Sequence, residues 1–240
     1  IGAGLIILAR HRPNLRETVT LLTAAALFLS VVSLTPAVLD GGRPSLVIWG
    51  ILPGLDLMLR VEPLGMLFGL VASGLWIVNS LYSIGYMRGN KEQSQTRFYF
   101  FFAVSLAAAI GVAFAGNMLT LFMFYEILTI CTYPLVTHSG TAEAVKSGRT
   151  YLGILISTSI GLLMVGIIWT WNAAGTLDFT PGGILKGKVS DGLIGVLLFL
   201  YMYGIGKAAL MPIHRWLPAA MVAPTPVSAL LHAVAVVKAG

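Results

Sequence analysis

The sequence MPIHRWLPAAMVAPTP, residues 211–226, carries four of the chain's eleven prolines, at Pro212, Pro218, Pro224 and Pro226. Proline removes a backbone N–H donor and clashes with the preceding helical turn, so an uninterrupted helix cannot pass through this spacing. The runs on both sides are strongly apolar, which is typical of membrane spans. We therefore predict that these prolines form a helix break between two spans, after which the chain turns and re-enters the membrane.

The composition places the chain among integral membrane proteins. Of 240 residues, 57% are hydrophobic and 10% are charged, whereas a soluble domain carries about 25% charged residues. The formal net charge is +6, but no basic stripe with interleaved aromatic residues indicates a nucleic-acid partner. Cys131 is the single cysteine, which excludes a disulfide framework, an iron–sulfur cluster and a cysteine-based zinc site within this chain. We expect no cofactor in this chain.

Apolar runs predict the spans. They cover residues 1–9 (a partial span), 18–38, 63–87, 98–115, 117–137, 150–171, 192–211 and 226–240. A span needs about 20 apolar residues, so the short first and last runs are expected to belong to a longer protein. The expected fold class is all-α, a polytopic membrane helix bundle with one discontinuous helix.

Residues 45–62 have a different pattern. Residues 55–62 alternate leucine or valine with charged side chains, apart from Met58, and this period of two is typical of a strand. Pro53-Gly54 supplies a turn, and residues 46–49 supply a partner strand. We predict a small β-hairpin on one membrane face.

The lysines and arginines of the loops predict the orientation. Nine of the fifteen fall on one side of the predicted spans and four on the other, with Lys207 and Lys238 inside helices. The nine are Arg10, Arg12, Arg16, Arg88, Lys91, Arg97, Lys146, Arg149 and Arg215, and the four are Arg43, Arg60, Lys186 and Lys188. The side with nine is predicted to be cytoplasmic, which makes the hairpin and the loop at 172–191 extracytoplasmic.

Two charges of opposite sign, Glu126 and Lys207, fall within predicted spans. Glu126 lies about 14 Å into its helix at a rise of about 1.5 Å per residue, near the centre of the bilayer. Ionisable groups at this depth mark ion or proton paths by default. The alternatives are a carboxyl group that only locks two helices together and a lysine that snorkels to the interface.

Glu126 and Lys207 are predicted to act as a coupled pair. At about 4 Å and an effective dielectric near 20, their attraction is worth about 4 kcal/mol. Separating them would therefore make Lys207 a better proton donor. His232 and Lys238 on the re-entering segment are the candidate acceptors, although a lone histidine in a helix is more often a packing residue.

The motif run resembles a known family. Residues 211–218 are followed by APTPVSALLH at 223–232 and VKAG at 237–240, and residues 117–126 read NMLTLFMFYE. Together these runs resemble the antiporter-like subunits of the complex I superfamily. That superfamily includes respiratory NADH dehydrogenases, membrane-bound hydrogenases and multisubunit cation/proton antiporters.

The resemblance implies a larger fold built around two inverted helix units. Residues 1–97 would form N-terminal helices with the extracytoplasmic hairpin, and residues 98–240 most of the first five-helix proton-channel unit, the second unit being absent. By residue match, Glu126 would modulate Lys207, Lys207 would hold the proton, and His232 and Lys238 would pass it on.

Three functions remain open at this point. The preferred one is proton translocation as a subunit of a redox-driven, multisubunit complex in a bacterial or archaeal plasma membrane, related to an NADH dehydrogenase or a hydrogenase. Other membrane subunits, iron–sulfur redox subunits, lipid and protons would be its partners, because this chain has no redox-centre motif. The alternatives are a subunit of a gradient-driven sodium (cation)/proton antiporter and a structural membrane anchor without transport.

Overall fold

The computed structural model describes residues 1–234 and 236–239. Its long helices, in chain order, are α2 (Pro13–Leu39), α3 (Pro63–Gly89), α4 (Gln95–Ala113) and α5 (Met118–Val136), followed by α6 (Ala142–Thr158), which continues through a π-helical segment (Ser159–Leu163) into α7 (Met164–Ala174). The short helices are α1 (Gly2–Leu8), α8 (Asp191–Gly204), α9 (Trp216–Ala219) and α10 (Thr225–Ser228). The strands are β1 (Ser45–Leu52) and β2 (Leu55–Arg60).

Five helices in the described part of the chain are long and apolar enough to cross a membrane, the fifth being the continuous Ala142–Ala174. The protein is therefore an all-α, multi-pass membrane protein, as the composition predicts. The helix predicted over 117–137 is confirmed, and Asn117 caps it by accepting the Thr120 N–H at 2.8 Å. The helix predicted from residue 150 begins earlier, because Thr141 caps it through the Ala144 N–H.

The predicted hairpin is present. β1 and β2 pair antiparallel from Ser45 opposite Arg60 to Leu52 opposite Leu55. Gly54 lies in the turn with φ of +81°, a conformation that glycine adopts without strain. The Met58 N–H donates to Thr120 Oγ1 at 3.0 Å, which anchors the hairpin at the start of α5.

The structure groups the loops as the charge count predicts. On one face, the Met118 N–H donates to the Leu177 carbonyl at 3.0 Å, so the loop after α7 meets the hairpin end of α5. On the opposite face, Arg97 donates to the His138 carbonyl at 3.0 Å. The side that is cytoplasmic remains a prediction from the positive-inside rule.

The prediction of a continuous helix over 192–211 is wrong. α8 ends at Gly204, and a 3-10 turn over Gly206–Ala208 follows, with Ala209 at φ of +53°. The break is held by neighbouring spans: the Lys207 N–H donates to the Tyr125 hydroxyl at 3.1 Å instead of to a helical carbonyl, and a Cβ at Gly204 would lie 2.5 Å from the Leu163 backbone nitrogen. Lys207 consequently lies in the break itself and not within a helix.

The prolines all lie after the break has begun, because α8 ends eight residues before Pro212. Pro212 precedes a 3-10 turn, Pro218 lies within α9, and Pro226 falls in the first turn of α10. Pro224 is the N-cap of α10. The re-entering segment then continues as a π-helical stretch and a 3-10 turn, Val237–Ala239. The predicted span end at Gly240 lies outside the described residues.

Candidate functional site

Lys207 is a fully buried lysine at the helix break. It is 0% exposed, and its ammonium donates to the Tyr125 carbonyl at 2.6 Å and to Thr129 Oγ1 at 2.6 Å. The Tyr125 ring lies beneath it, with 3.0 Å from Nζ to the ring centroid. Because a buried ammonium without acceptors is very costly, these contacts offset the free-energy cost of burying Lys207. They also exclude the alternative that Lys207 snorkels to the membrane surface.

The backbone around Lys207 is fixed by its neighbours. The Lys207 N–H donates to the Tyr125 hydroxyl at 3.1 Å, and Trp216 Nε1 donates to the Gly206 carbonyl at 2.8 Å. Trp216 is fully buried and packs edge-on against Tyr151. The Gly206 carbonyl also accepts the Ala209 N–H at 3.1 Å, so the tryptophan of the proline-rich run adds a second hydrogen bond that fixes the turn.

A polar stripe on α5 forms the floor of the site, and it was not predicted. Tyr125, Thr129 and Thr132 follow one another at spacings of four and three residues, which places them on one helix face. All three are buried, and the Thr132 and Tyr151 hydroxyls lie 2.6 Å apart. The signal is present in the sequence as hydroxyl groups at helical spacing in an apolar span.

Glu126 lies beside this stripe on the same helix. Its side chain is half-buried, and Oε1 is buried without a hydrogen-bond partner among the described residues. The Ser159 hydroxyl lies near the carboxyl group, and the charge of Lys207 acts on it electrostatically. No ion pair within 4.0 Å joins Glu126 to Lys207 in the described part of the chain. The structure thus brings the predicted partners into one site without direct contact.

The other two predicted residues lie on the re-entering segment. His232 is half-buried, and its Nε2 is buried without a partner in the described residues. Lys238 is exposed and lines a cavity of about 390 Å³ with residues of α3 and α4. The turn Val237–Ala239 packs against the turn that carries Lys207. The backbone of the turn that carries Lys238 therefore lies next to the Lys207 site, whereas the Lys238 side chain lines the cavity.

A polar cavity of about 480 Å³ lies on the face opposite the hairpin. It is lined by the α3–α4 connection and by the end of α5, including Glu92, Arg97 and His138. Burial, and after it the charge of Arg97, lowers the pKa of His138 below its ordinary value, while Glu92 opposes this. No motif in the sequence indicates a role for this surface.

Comparison with known proteins agrees with the fold and the motif run. The family described as NADH:quinone oxidoreductase/Mrp antiporter, transmembrane region, matches residues 115–240. Subunit 5 of the NAD(P)H-quinone oxidoreductase of the Paulinella chromatophora chromatophore is 28% identical over 100% of this chain and 38% of its own length. A Staphylococcus aureus protein whose name describes it as an antiporter subunit, mnhA2, is 31% identical over 78% of this chain and 23% of its own length.

Two solved structures share the fold. The archaeal membrane-bound sulfane sulfur reductase superposes with a TM-score of 0.85 at 24% identity, covering 99% of this chain and 49% of the matched chain. The Mrp complex from a Dietzia species superposes with a TM-score of 0.81 at 25% identity, covering 100% of this chain and 26% of the matched chain. This chain spans less than half the length of these relatives. Since the family matches more than half of its residues, the chain belongs to the NADH:quinone oxidoreductase/Mrp antiporter transmembrane family.

Proposed function

We propose that this chain translocates protons across a membrane as an antiporter-like subunit of a redox-driven multisubunit complex. The observation that carries the proposal is the fully buried Lys207 in a helix break, whose ammonium is held by α5, the helix that carries Glu126. A structural lock would pair the two charges directly, whereas here the carboxyl oxygen Oε1 has no partner in the described residues. A half-buried acid and a fully buried base that share a site without forming an ion pair are suited to passing a proton.

The proposed transfer runs from Lys207 toward His232 and Lys238. Glu126 acts on the lysine electrostatically and thereby sets how readily it gives up its proton. His232 has an unpartnered ring nitrogen among the described residues, and Lys238 lines a cavity. Water bound by Lys238 would have to carry the proton onward, since transfer beyond hydrogen-bond reach needs a bridging molecule.

The redox-driven assignment draws support from the relative named as a quinone oxidoreductase subunit, which aligns with the whole chain. Its partners would include redox subunits with iron–sulfur clusters, further membrane subunits and lipid. The chain would reside in a bacterial or archaeal plasma membrane.

A gradient-driven cation/proton antiporter is the second candidate. The higher identity to the Staphylococcus aureus antiporter subunit and the match to the Mrp complex favour it. Both candidates use the same site, because the energy of a redox reaction and that of an ion gradient act through the same proton path. They differ in partners and in whether sodium moves.

One purification separates these functions. The intact complex is isolated in mild detergent, its chains are identified, and proton uptake is measured in proteoliposomes. Partners with iron–sulfur cysteine motifs support the redox-driven complex, and small membrane subunits alone support the gradient-driven antiporter. Full proton transport by the double variant Glu126→Gln, Lys207→Met would leave only the structural anchor.

A further inference from the structure

The acceptors that hold the Lys207 ammonium belong to the same helical turn as Glu126. Tyr125 precedes the glutamate, and Thr129 follows it by three residues. Both acceptors lie 2.6 Å from Lys207 Nζ. The structure therefore shows the lysine bound to neutral oxygen atoms, next to a carboxyl group that it does not contact.

The hydroxyl of Thr129 is oriented to receive the lysine. It donates its own proton to the Tyr125 carbonyl at 3.0 Å, so its lone pairs are available to the ammonium. The face of the Tyr125 ring adds a cation–π contact, which is strongest where water is excluded. Both interactions favour the charged form of the lysine.

A second position for the Lys207 ammonium would require only rotation of its side chain, because the backbone is fixed. The lysine backbone is held by the Tyr125 hydroxyl, and the adjoining Gly206 carbonyl is held by Trp216. Gly206 is also packed so closely that a Cβ there would lie 2.2 Å from Thr158 Oγ1. A lysine stem has four torsions with staggered minima, which gives Nζ alternative positions around a fixed backbone.

We infer that the Tyr125 carbonyl and the Thr129 hydroxyl form a holding site for the Lys207 ammonium, which competes with Glu126 for it. Thr129 is a positioning residue, because it acts through Lys207 and not on the transported proton. The inference rests on the proposed function, since it assigns to the lysine two positions within one transfer cycle. In the holding site the lysine keeps its proton away from the carboxylate.

A purely structural role for Lys207 and its hydrogen-bond acceptors leads to a different expectation. Loss of an acceptor would then affect the stability of the complex but not the pH at which transport declines. A holding site for the charged lysine must also set the pH at which that charge is lost, because hydrogen bonds to the ammonium favour the protonated form.

The test is the pH profile of proton translocation by the intact complex in proteoliposomes. Thr129→Val keeps the shape of the side chain and removes the acceptor. We expect the alkaline limb of the profile to move to lower pH by about one unit or more, because hydrogen bonds to charged groups are strong. Thr129→Ser restores the hydroxyl and should return the limb to its original position.

Thr132→Val is the matched control. Thr132 is buried on the same face of α5, but its hydroxyl contacts Tyr151 and not the lysine. Its alkaline limb should stay in place. An unchanged limb in Thr129→Val, or an equal movement in Thr132→Val, would overturn the holding site.

Two further measurements keep the outcomes separate. Undiminished translocation in Lys207→Met would overturn the proposed function, whereas loss in Lys207→Met with an unchanged Thr129→Val profile overturns the holding site alone. If Thr129→Val does not assemble, high-resolution structures of the parent complex at several pH values decide. Lys207 Nζ on Thr129 in at least one of them supports the inference, and Nζ on Glu126 in all of them overturns it.

Discussion

The helix break around Lys207 and the re-entering segment with His232 and Lys238 differ in how their polar groups are satisfied. Lys207 is 0% exposed and makes two side-chain hydrogen bonds within this chain. His232 has a buried nitrogen without a partner in the described residues, and Lys238 is exposed to a cavity. The polar groups of the first site are hydrogen-bonded within this chain, whereas the second site has groups that are free, among the described residues, to bind water or further residues. A proton path needs both kinds, a defined carrier and an open continuation.

The largest effect is expected from Lys207→Met, which removes the proposed proton-carrying group from the buried site. Proton translocation by the complex in proteoliposomes should fall by about 100-fold or more, because a thioether side chain cannot bind and release a proton. The stability of the complex should stay equal or rise, since methionine fills the same apolar space without desolvating a charge.

Lys146→Met is the control for this variant. Lys146 is exposed on α6, so its loss tests whether any lysine matters to transport. Translocation within about twofold of the parent is expected there, as for surface substitutions in general. Equal loss in the two variants would show that charge on the protein, and not the buried carrier, controls the rate.

The next effect concerns how tightly the end of α8 packs against the preceding span. Gly204→Ala places a methyl group 2.5 Å from the Leu163 backbone nitrogen, where neither partner can move without shifting a helix. We expect a loss of about 3 kcal/mol or more in stability, at the upper end of overpacking costs. Thermal denaturation of the purified complex measures this.

Gly195→Ala is the matched control on the same helix, α8. A Cβ there meets nothing within 4 Å, and alanine is the better helix former by up to about 1 kcal/mol. Its midpoint should equal or exceed that of the parent. A similar loss in both variants would mean that α8 tolerates no side chain there and that the contact at Gly204 is not special.

The sequence could predict the five long spans of the described residues, the hairpin and the charges within the membrane, because each depends on local pattern. Apolar runs of sufficient length require helices in a bilayer, and the alternation over residues 55–62 requires a strand. The start of the helix at Ala142 was missed because its first turns are polar and amphipathic, and a hydropathy window does not include them.

The position of the break could not be predicted from the sequence, because it depends on a neighbouring span. The prolines indicate where a helix cannot continue, but α8 already ends at Gly204, where it meets Leu163. Likewise, attraction between opposite charges predicted contact between Glu126 and Lys207. The structure instead satisfies the ammonium with a backbone carbonyl and a threonine, acceptors that a charge-based interpretation does not consider.

A moderate effect is expected from a substitution in the re-entering segment. Lys238→Met should lower proton translocation by about 10-fold while the thermal midpoint stays unchanged, because an exposed side chain contributes little to stability. Lys146→Met serves again as the control. Unchanged transport would remove Lys238 from the proposed path and would leave His232 as the acceptor to test with His232→Gln.

The smallest effect compares His232 with His138, the other histidine that has unpartnered nitrogen atoms among the described residues. His138 lies beyond the end of α5 and is 5% exposed. Burial lowers its pKa below the ordinary value of 6.5. The folded protein therefore keeps this imidazole neutral at a pH where the unfolded chain protonates it, and protonation of the unfolded chain destabilises the folded state.

His138 should therefore leave stability unaffected above about pH 6.5 and reduce it by up to about 1.4 kcal/mol for each pH unit below that value. His138→Gln should remove this part of the pH dependence, measured as the difference between thermal midpoints at about pH 7.5 and about pH 5.5. His11→Gln, at an exposed histidine, should keep the dependence of the parent. If His138→Gln also keeps it, the folded and unfolded chains bind this proton equally well, and the burial of His138 does not contribute to the pH dependence.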